Sequence, residues 1–367
     1  MNASSPLTIH AGPGALARLK SHGLQAQDVA VIPAAAGGPK GLIFQALDQF
    51  LFGHWLPAAP RERTLIGSSI GAWRMAAACD SDPVAAFQRL GDVYCAQRYS
   101  KKPSPLQVST VVQDVLHDFI AGHAADITSH PYHRLQLITA RGRGLLDVPR
   151  NNWAIKAGFG AATLANLTSR AGLARHLERV VIGDVRAANH WLSASFDAFN
   201  THFAPLSAAN LEAVLLASGT LPLVMEPVSE ILHAPRGTYW DGGIIDYHLA
   251  LPYTRLQQGL DADLVLYPHF SRHIVPGWLD KALPWRRAGQ DRHRDWMDNV
   301  IVLAPSASFL RSLPRKKLPD RKDFSHYGLE HEMRQQQWQV AIRQGTQLRD
   351  AFAAFVERPD MRLVQPL

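Results

Sequence analysis

The chain of 367 residues has only two cysteines, Cys79 and Cys95. Two thiols cannot build a disulfide framework, and no CxxC or clustered Cys/His spacing offers a zinc site, so both read as thiols of a reducing compartment. Long apolar runs are missing as well: no segment reaches the roughly 20 residues a helix needs to cross a bilayer. Met1 to Leu19 has no basic stretch followed by an apolar one. A cytoplasmic protein is therefore expected, with membrane association and export by a route that leaves no readable signal both open. Internal repeats and low-complexity tracts are absent, which excludes solenoid and fibrous architectures. The composition, 47% hydrophobic and 19% charged, is that of a chain that folds by burial.

Positive charge is in surplus. Thirty-eight Lys and Arg against 31 Asp and Glu leave a net charge of +7, which favours an anionic partner such as lipid headgroups, nucleic acid or an acidic substrate. The basic run from Arg311 to Lys322 has no helix-turn-helix, zinc or RNP-like companion, so it reads as a solvated face and nucleic acid is not expected.

Strand candidates alternate with helical stretches. Asp28–Pro33, Arg63–Ile66, Leu135–Thr139, Arg179–Gly183, Thr238–Trp240, Asp263–Tyr267 and Val300–Leu303 are short and apolar or β-branched. Helical patterns follow Pro39 and Gly71 and occupy Pro83–Gln97 and Leu206–Ala217. This alternation predicts an α/β layered fold with a mostly parallel sheet. Beyond Ser306 the chain turns basic and proline-broken, and Gly328–Phe355 reads as one long polar helix with an apolar stripe. Two parts are expected: a main domain over 1–305 and a basic, helical C-terminal extension over 306–367 packed on it.

Three short motifs carry chemistry. Gly67-Ser68-Ser69-Ile70-Gly71 spells GxSxG between a strand end and a helix start, the setting of a nucleophile elbow, so Ser69 is the candidate nucleophile and Gly67 and Gly71 let the two arms pass closely. Gly37-Gly38, between a strand and a helix beginning at Pro39, presents backbone N–H groups to a developing oxyanion. Its spelling lacks both the Walker spacing and the GxGxxG fingerprint of nucleotide sites. Asp241, at a strand end before Gly242-Gly243, is the candidate base, although Asp-Gly-Gly also suits an ordinary hairpin turn.

These blocks together resemble the patatin-like phospholipase family, lipid acyl hydrolases with a Ser-Asp dyad. The family's glycine-rich oxyanion block lines up with Ala36-Gly37-Gly38-Pro39-Lys40-Gly41, its elbow with Gly67–Gly71, and its Asp-Gly-Gly/Ala block with Asp241-Gly242-Gly243. A fourth block, Ala217-Ser218-Gly219-Thr220-Leu221-Pro222 followed by Pro227-Val228, resembles the family's segment before the catalytic aspartate. The resemblance covers roughly residues 28 to 245. It implies a three-layer α/β/α fold, with Ser69 as nucleophile, Asp241 as base, and an oxyanion loop containing Gly37, Gly38, Lys40 and Gly41. It further implies an acyl-enzyme route that needs no cofactor or metal, acting on a phospholipid or other ester. Two positions depart from the pattern: Ala36 replaces the first glycine, and Trp73 stands where a small residue is common, which could narrow the acyl pocket.

Rival readings remain. A Ser-His-Asp esterase would draw its imidazole from His248, His269, His273 or His293. A non-catalytic acyl- or membrane-binding protein could keep the same fold. The indoles and cations of Trp278–Arg287, with Trp296 beyond, suggest a mobile flap or an edge touching anionic membrane, or else a packed surface loop.

Overall fold

The structure, a computed structural model, describes residues 5–187, 189–192, 196–258, 263–288 and 294–367. The described residues build a mixed α/β protein around one large sheet with helices packed on it, in a three-layer α/β/α arrangement. Its strands are β1 (Leu7–Ala11), β2 (Val29–Ala34), β3 (Arg63–Ser68), β4 (His133–Gly142), β5 (Leu177–Gly183) and β6 (Thr201–Pro205), followed by β7 (Val228–Ser229), β8 (Thr238–Asp241), β9 (Leu264–Pro268), β10 (Val300–Pro305) and β11 (Val364–Pro366). They lie in the order β11-β1-β10-β9-β2-β3-β4-β5-β6, while β8 pairs with β4 and β7 with β8.

The block β10-β9-β2-β3-β4 is parallel throughout. Every residue of β2, β5, β9 and β10 is buried. Such strands need cover on both faces, which explains why β2, β9 and β10 are nearly continuous apolar runs instead of alternating ones, while β5 carries the ion-paired Glu178 and Arg179. All seven expected strands are present. The four that sequence reasoning did not anticipate are short or peripheral: β1 and β11 lie at one end of the sheet, β6 at the other, and the two-residue β7 pairs only with β8. Their strand character depends on a partner's hydrogen bonds more than on their own composition.

Helices depart from expectation in three places. The segment after Pro39 is a 3-10 helix over Gly38–Phe44, which becomes α-helical only at Gln45–Phe50 and then widens into a π-turn over Leu51–Trp55. Before the helix Leu211–Gly219, Asn210 closes a turn in which its side-chain Oδ1 accepts from the Ser207 amide at 2.8 Å, so the helix starts later than Leu206. The long C-terminal helix is two, His331–Gln344 and Thr346–Glu357, divided at Gly345. A Cβ at Gly345 would stand 2.1 Å from the Ile43 carbonyl oxygen, so the break lets the backbone close on the 3-10 helix. Leu348, Phe352 and Phe355 from the second helix enter the same buried cluster as β2 and β10, and β11 then adds to the sheet beside β1.

Candidate active site

Strand β3 ends at Ser68 and the helix Ile70–Ala78 begins at once, so a single residue must turn the chain. That residue is Ser69, with φ 57° and ψ −130°, a conformation that non-glycine residues rarely adopt and that surrounding packing has to hold. The packing is tight: a Cβ on Gly71 would sit 1.9 Å from the Ala34 carbonyl oxygen, and one on Gly67 would sit 2.5 Å from the Gly71 oxygen. The elbow therefore lies directly on the end of β2, where the glycine loop starts.

Strand β4 is the ruler that brings the candidate base to the candidate nucleophile. Its first half pairs with β3, ending with Ser68 opposite Ile138. One residue further, Thr139 pairs with Asp241 of β8, which takes the place along β4 that β3 vacates when it turns. Residues 172 apart in sequence thus meet, and the Ser69 hydroxyl donates to Asp241 Oδ2 at 2.8 Å with no group between them. Ser218 and Thr220, inside the fourth sequence block, hold both partners. The Ser69 amide donates to Ser218 Oγ (2.9 Å), whose hydroxyl donates to the Ile138 carbonyl (2.7 Å), and the Asp241 amide donates to the Thr220 carbonyl (2.8 Å).

Asp241 is buried, and its other oxygen accepts from the Gly243 amide at 2.7 Å. Burial pushes its pKa above the ordinary carboxylate value, while Arg321, the Ser69 hydroxyl and the Gly243 amide oppose the rise. A carboxylate raised in this way is a better proton acceptor than an exposed aspartate.

The four residues of the expected oxyanion loop divide. Gly37 and Lys40 line a cavity of about 410 Å³, whose wall also includes Asp241, Gly243 and Ile244. Gly38, at φ 58°, lies against the Arg321 side chain, and a Cβ on it would stand 3.1 Å from Arg321 Nε. Gly41 instead backs onto Arg74, which is locked to Asp48 by two hydrogen bonds of 2.9 and 2.8 Å beneath the 3-10 helix. Lys40 stands over the Phe270 ring, its Nζ 4.7 Å from the centroid. Burial and the neighbouring cation Lys281 push the Lys40 pKa down to about 8. Ser69 itself is almost wholly covered, so Asp241 and the loop, not the serine, face the cavity.

The mouth of that cavity is cationic. Lys281, Arg321 and Lys322 join Lys40, with Asp320 among them, and Trp278 and Leu221 add apolar wall. Arg321 is the residue sequence reasoning missed: its Nη2 is 3.7 Å from Asp241 Oδ2. The solvated basic face expected over Arg311–Lys322 holds for Arg311, Lys316 and Lys322, which are exposed, and is corrected for the cations that engage acids. Arg315 and Lys317 both turn inward onto buried Asp323, at 2.6 and 2.7 Å, and Trp338 Nε1 donates to the same carboxylate. The run folds onto Asp323 and holds Arg321 over the site, and the acids Asp320 within it and Asp323 just after it were the sign that it would.

Among the described histidine candidates, none is bonded to Ser69. His248 and His269 are buried and stack edge to face with centroids 4.2 Å apart. The Val275 amide donates to His248 Nδ1 (3.0 Å), and His269 Nδ1 bonds to the Ser271 backbone. Burial lowers both pKa values, His269 to about 3. His273 is exposed, and His293 lies outside the described residues. Trp73 does not line the cavity: its indole is buried, packs on Tyr94 and donates to the Leu215 carbonyl. The segment expected as a flap is fastened at its centre by Asp280, which accepts from Asn166, Arg170, Arg286 and the Gly277 amide. No helix among the described residues is long and apolar enough to cross a membrane, and those residues contain no His/Cys/Asp/Glu group arranged to hold a metal ion.

No family model and no curated protein matches the chain. Among solved structures it aligns with human GIVD cytosolic phospholipase A2 over 97% of this chain and 66% of that one, at 11% sequence identity and a TM-score of 0.30.

Proposed function

We propose that this protein is a serine ester hydrolase of the patatin-like kind, working through a Ser69–Asp241 dyad. The observation that carries the reading is the direct 2.8 Å hydrogen bond from the Ser69 hydroxyl to buried Asp241, made by a serine held at a positive φ on a strand-to-helix turn. In the reaction, Asp241 takes the Ser69 proton while Oγ bonds to the ester carbonyl carbon, and the amides of Gly37 and Gly38 receive the negative oxygen. Collapse expels the alcohol, which leaves with the proton from Asp241. A water then gives its proton to Asp241 and attacks the acyl-enzyme, releasing the acid and restoring Ser69. Arg321 is a positioning residue: its positive charge keeps buried Asp241 anionic between turnovers.

The cavity supports a substrate with an anionic group near the ester, since Lys40, Lys281, Arg321 and Lys322 surround its mouth. Its volume is toward the lower end of small-molecule sites, about 300–1,000 Å³, which suits a short acyl group or one end of a lipid. Hydrolysis of a chain-length series of p-nitrophenyl esters by the native protein, Ser69→Ala and Asp241→Asn tests the dyad. Loss of turnover in both variants with the fold retained supports it. Full activity in Asp241→Asn moves the base elsewhere and revives the histidine triad.

A further inference from the structure

Helix Asn152–Thr168 lies on the surface yet carries almost no charge. Its inner line, Ile155, Gly158, Ala162 and Asn166, packs over Leu146, Leu173 and Trp240. Its outer line is Trp153, Leu164 and Leu167, which fall on one stripe at helical spacing and are 73%, 67% and 54% exposed. The loop before the helix adds exposed Val148, and Trp285, also exposed, stands beside the helix end, where Arg286 donates to the carbonyls of Asn166 and Leu167. A contiguous apolar surface of this kind on a well-packed protein marks an interaction site.

Charge identifies the occupant. From Arg141 to Arg175 the chain has six cationic residues and one acid, Asp147; Arg141 and Arg143 pair with Glu178 and Arg170 with Asp280, which leaves Arg150, Lys156 and Arg175 as the exposed cations. In the adjoining segment Lys281, Arg286 and Arg287 accompany Asp280, whose carboxylate is buried. Indoles and leucines rimmed by lysine and arginine match the boundary of an anionic bilayer, where rings sit at headgroup depth and cations meet phosphate. A second copy of the chain would set this cationic rim against itself. The helix is tied to the candidate site's wall, because Asn166 and Arg170 bind Asp280 in the segment whose Trp278 lines the cavity.

We infer that helix Asn152–Thr168, with Val148 before it and Trp285 beside it, docks peripherally on an anionic lipid surface. This goes beyond the hydrolase reading and does not depend on it.

Co-sedimentation with vesicles of phosphatidylcholine, alone or mixed with phosphatidylglycerol, tests the inference on the full chain. The native protein should partition onto the mixed vesicles and much less onto phosphatidylcholine. Trp153→Ser/Leu164→Gln/Leu167→Gln should lower that partitioning by about tenfold or more, and Arg150→Glu/Lys156→Glu by about fivefold per charge removed. Hydrolysis of a soluble p-nitrophenyl ester by both variants should equal the native rate, which also shows that they are folded. Vesicle binding by a protein inactive on all esters would sink the hydrolase reading and leave the docking face standing. Negligible binding of the native protein to both vesicle types overturns the inference. So does native binding that the triple variant retains, or a dimer in light scattering that the triple variant abolishes without vesicle binding.

Discussion

Replacing Arg321 with methionine should move the acidic limb of the pH–rate profile to higher pH. At an effective dielectric of about 20, unit charges 3.7 Å apart attract by about 4.5 kcal/mol. The Arg321 side chain is 39% exposed, so solvent screening reduces this to about 1–2 kcal/mol, or about tenfold in the proton affinity of the partner. The sign follows from the site. Asp241 must be ionised to accept the Ser69 proton; burial already favours its neutral form, and Arg321 opposes that. Without the guanidinium, Asp241 holds its proton to higher pH, and kcat/KM at a fixed pH on the acidic limb should fall by about tenfold. The assay is kcat/KM against pH with a neutral p-nitrophenyl ester, so that loss of binding to an anionic group does not contribute. Methionine keeps much of the side-chain volume, and Arg321→Lys, which keeps a positive charge, should recover most of the native profile. An acidic limb that stays in place in Arg321→Met, or moves to lower pH, would refute the argument that this charge tunes the base.

Gly71→Ala should destabilise the protein by about 3 kcal/mol or more in urea unfolding, because its Cβ would meet the backbone of Ala34; an unchanged midpoint would remove the packing argument for the elbow. With its pKa near 8, Lys40 loses its charge as pH rises through that value. KM for an ester bearing an anionic group should therefore climb above pH 8 while KM for a neutral ester does not, and Lys40→Met should erase the difference. Burial alone would raise the pKa of Asp280, but Arg170 and the hydrogen bonds from Asn166, Arg286 and Arg170 hold it below the ordinary value. Its contribution to stability is thus present above about pH 4 and lost as pH falls through the lower folded value. Asp280→Asn should cost about 3 kcal/mol near neutral pH, with the gap to the native protein closing in acid; an equal gap at both pH values would contradict the linkage.

Much of the arrangement was legible because local physics is written in local sequence. The apolar, β-branched runs Asp28–Pro33 and Val300–Leu303 read as strands covered on both faces, and the strands Val29–Ala34 and Val300–Pro305 are buried throughout. Gly67 and Gly71 around Ser69 announce two backbones in contact, and each would clash with main chain if a Cβ were added. The edge strands were not legible: Val364–Pro366 is a strand because Ile9–Ala11 lies alongside it. Nor was Gly345, which divides two helices at a close approach to Ile43, a residue some 300 positions earlier.

The same division runs through the site. Sequence alone determined the sharp strand-to-helix turn at Ser69, the glycine loop and the Asp-Gly-Gly turn, since each is a backbone conformation that a few adjacent residues impose. Tertiary structure decided that β4 would carry Asp241 into the register position next to Ser69, that Ser218 would lock the elbow, and that Arg321 would fold back from a basic run onto the base. Those contacts depend on the order of strands in the sheet and on burial of Asp323, and a charged or polar residue carries no local mark of the partner it will meet across the fold.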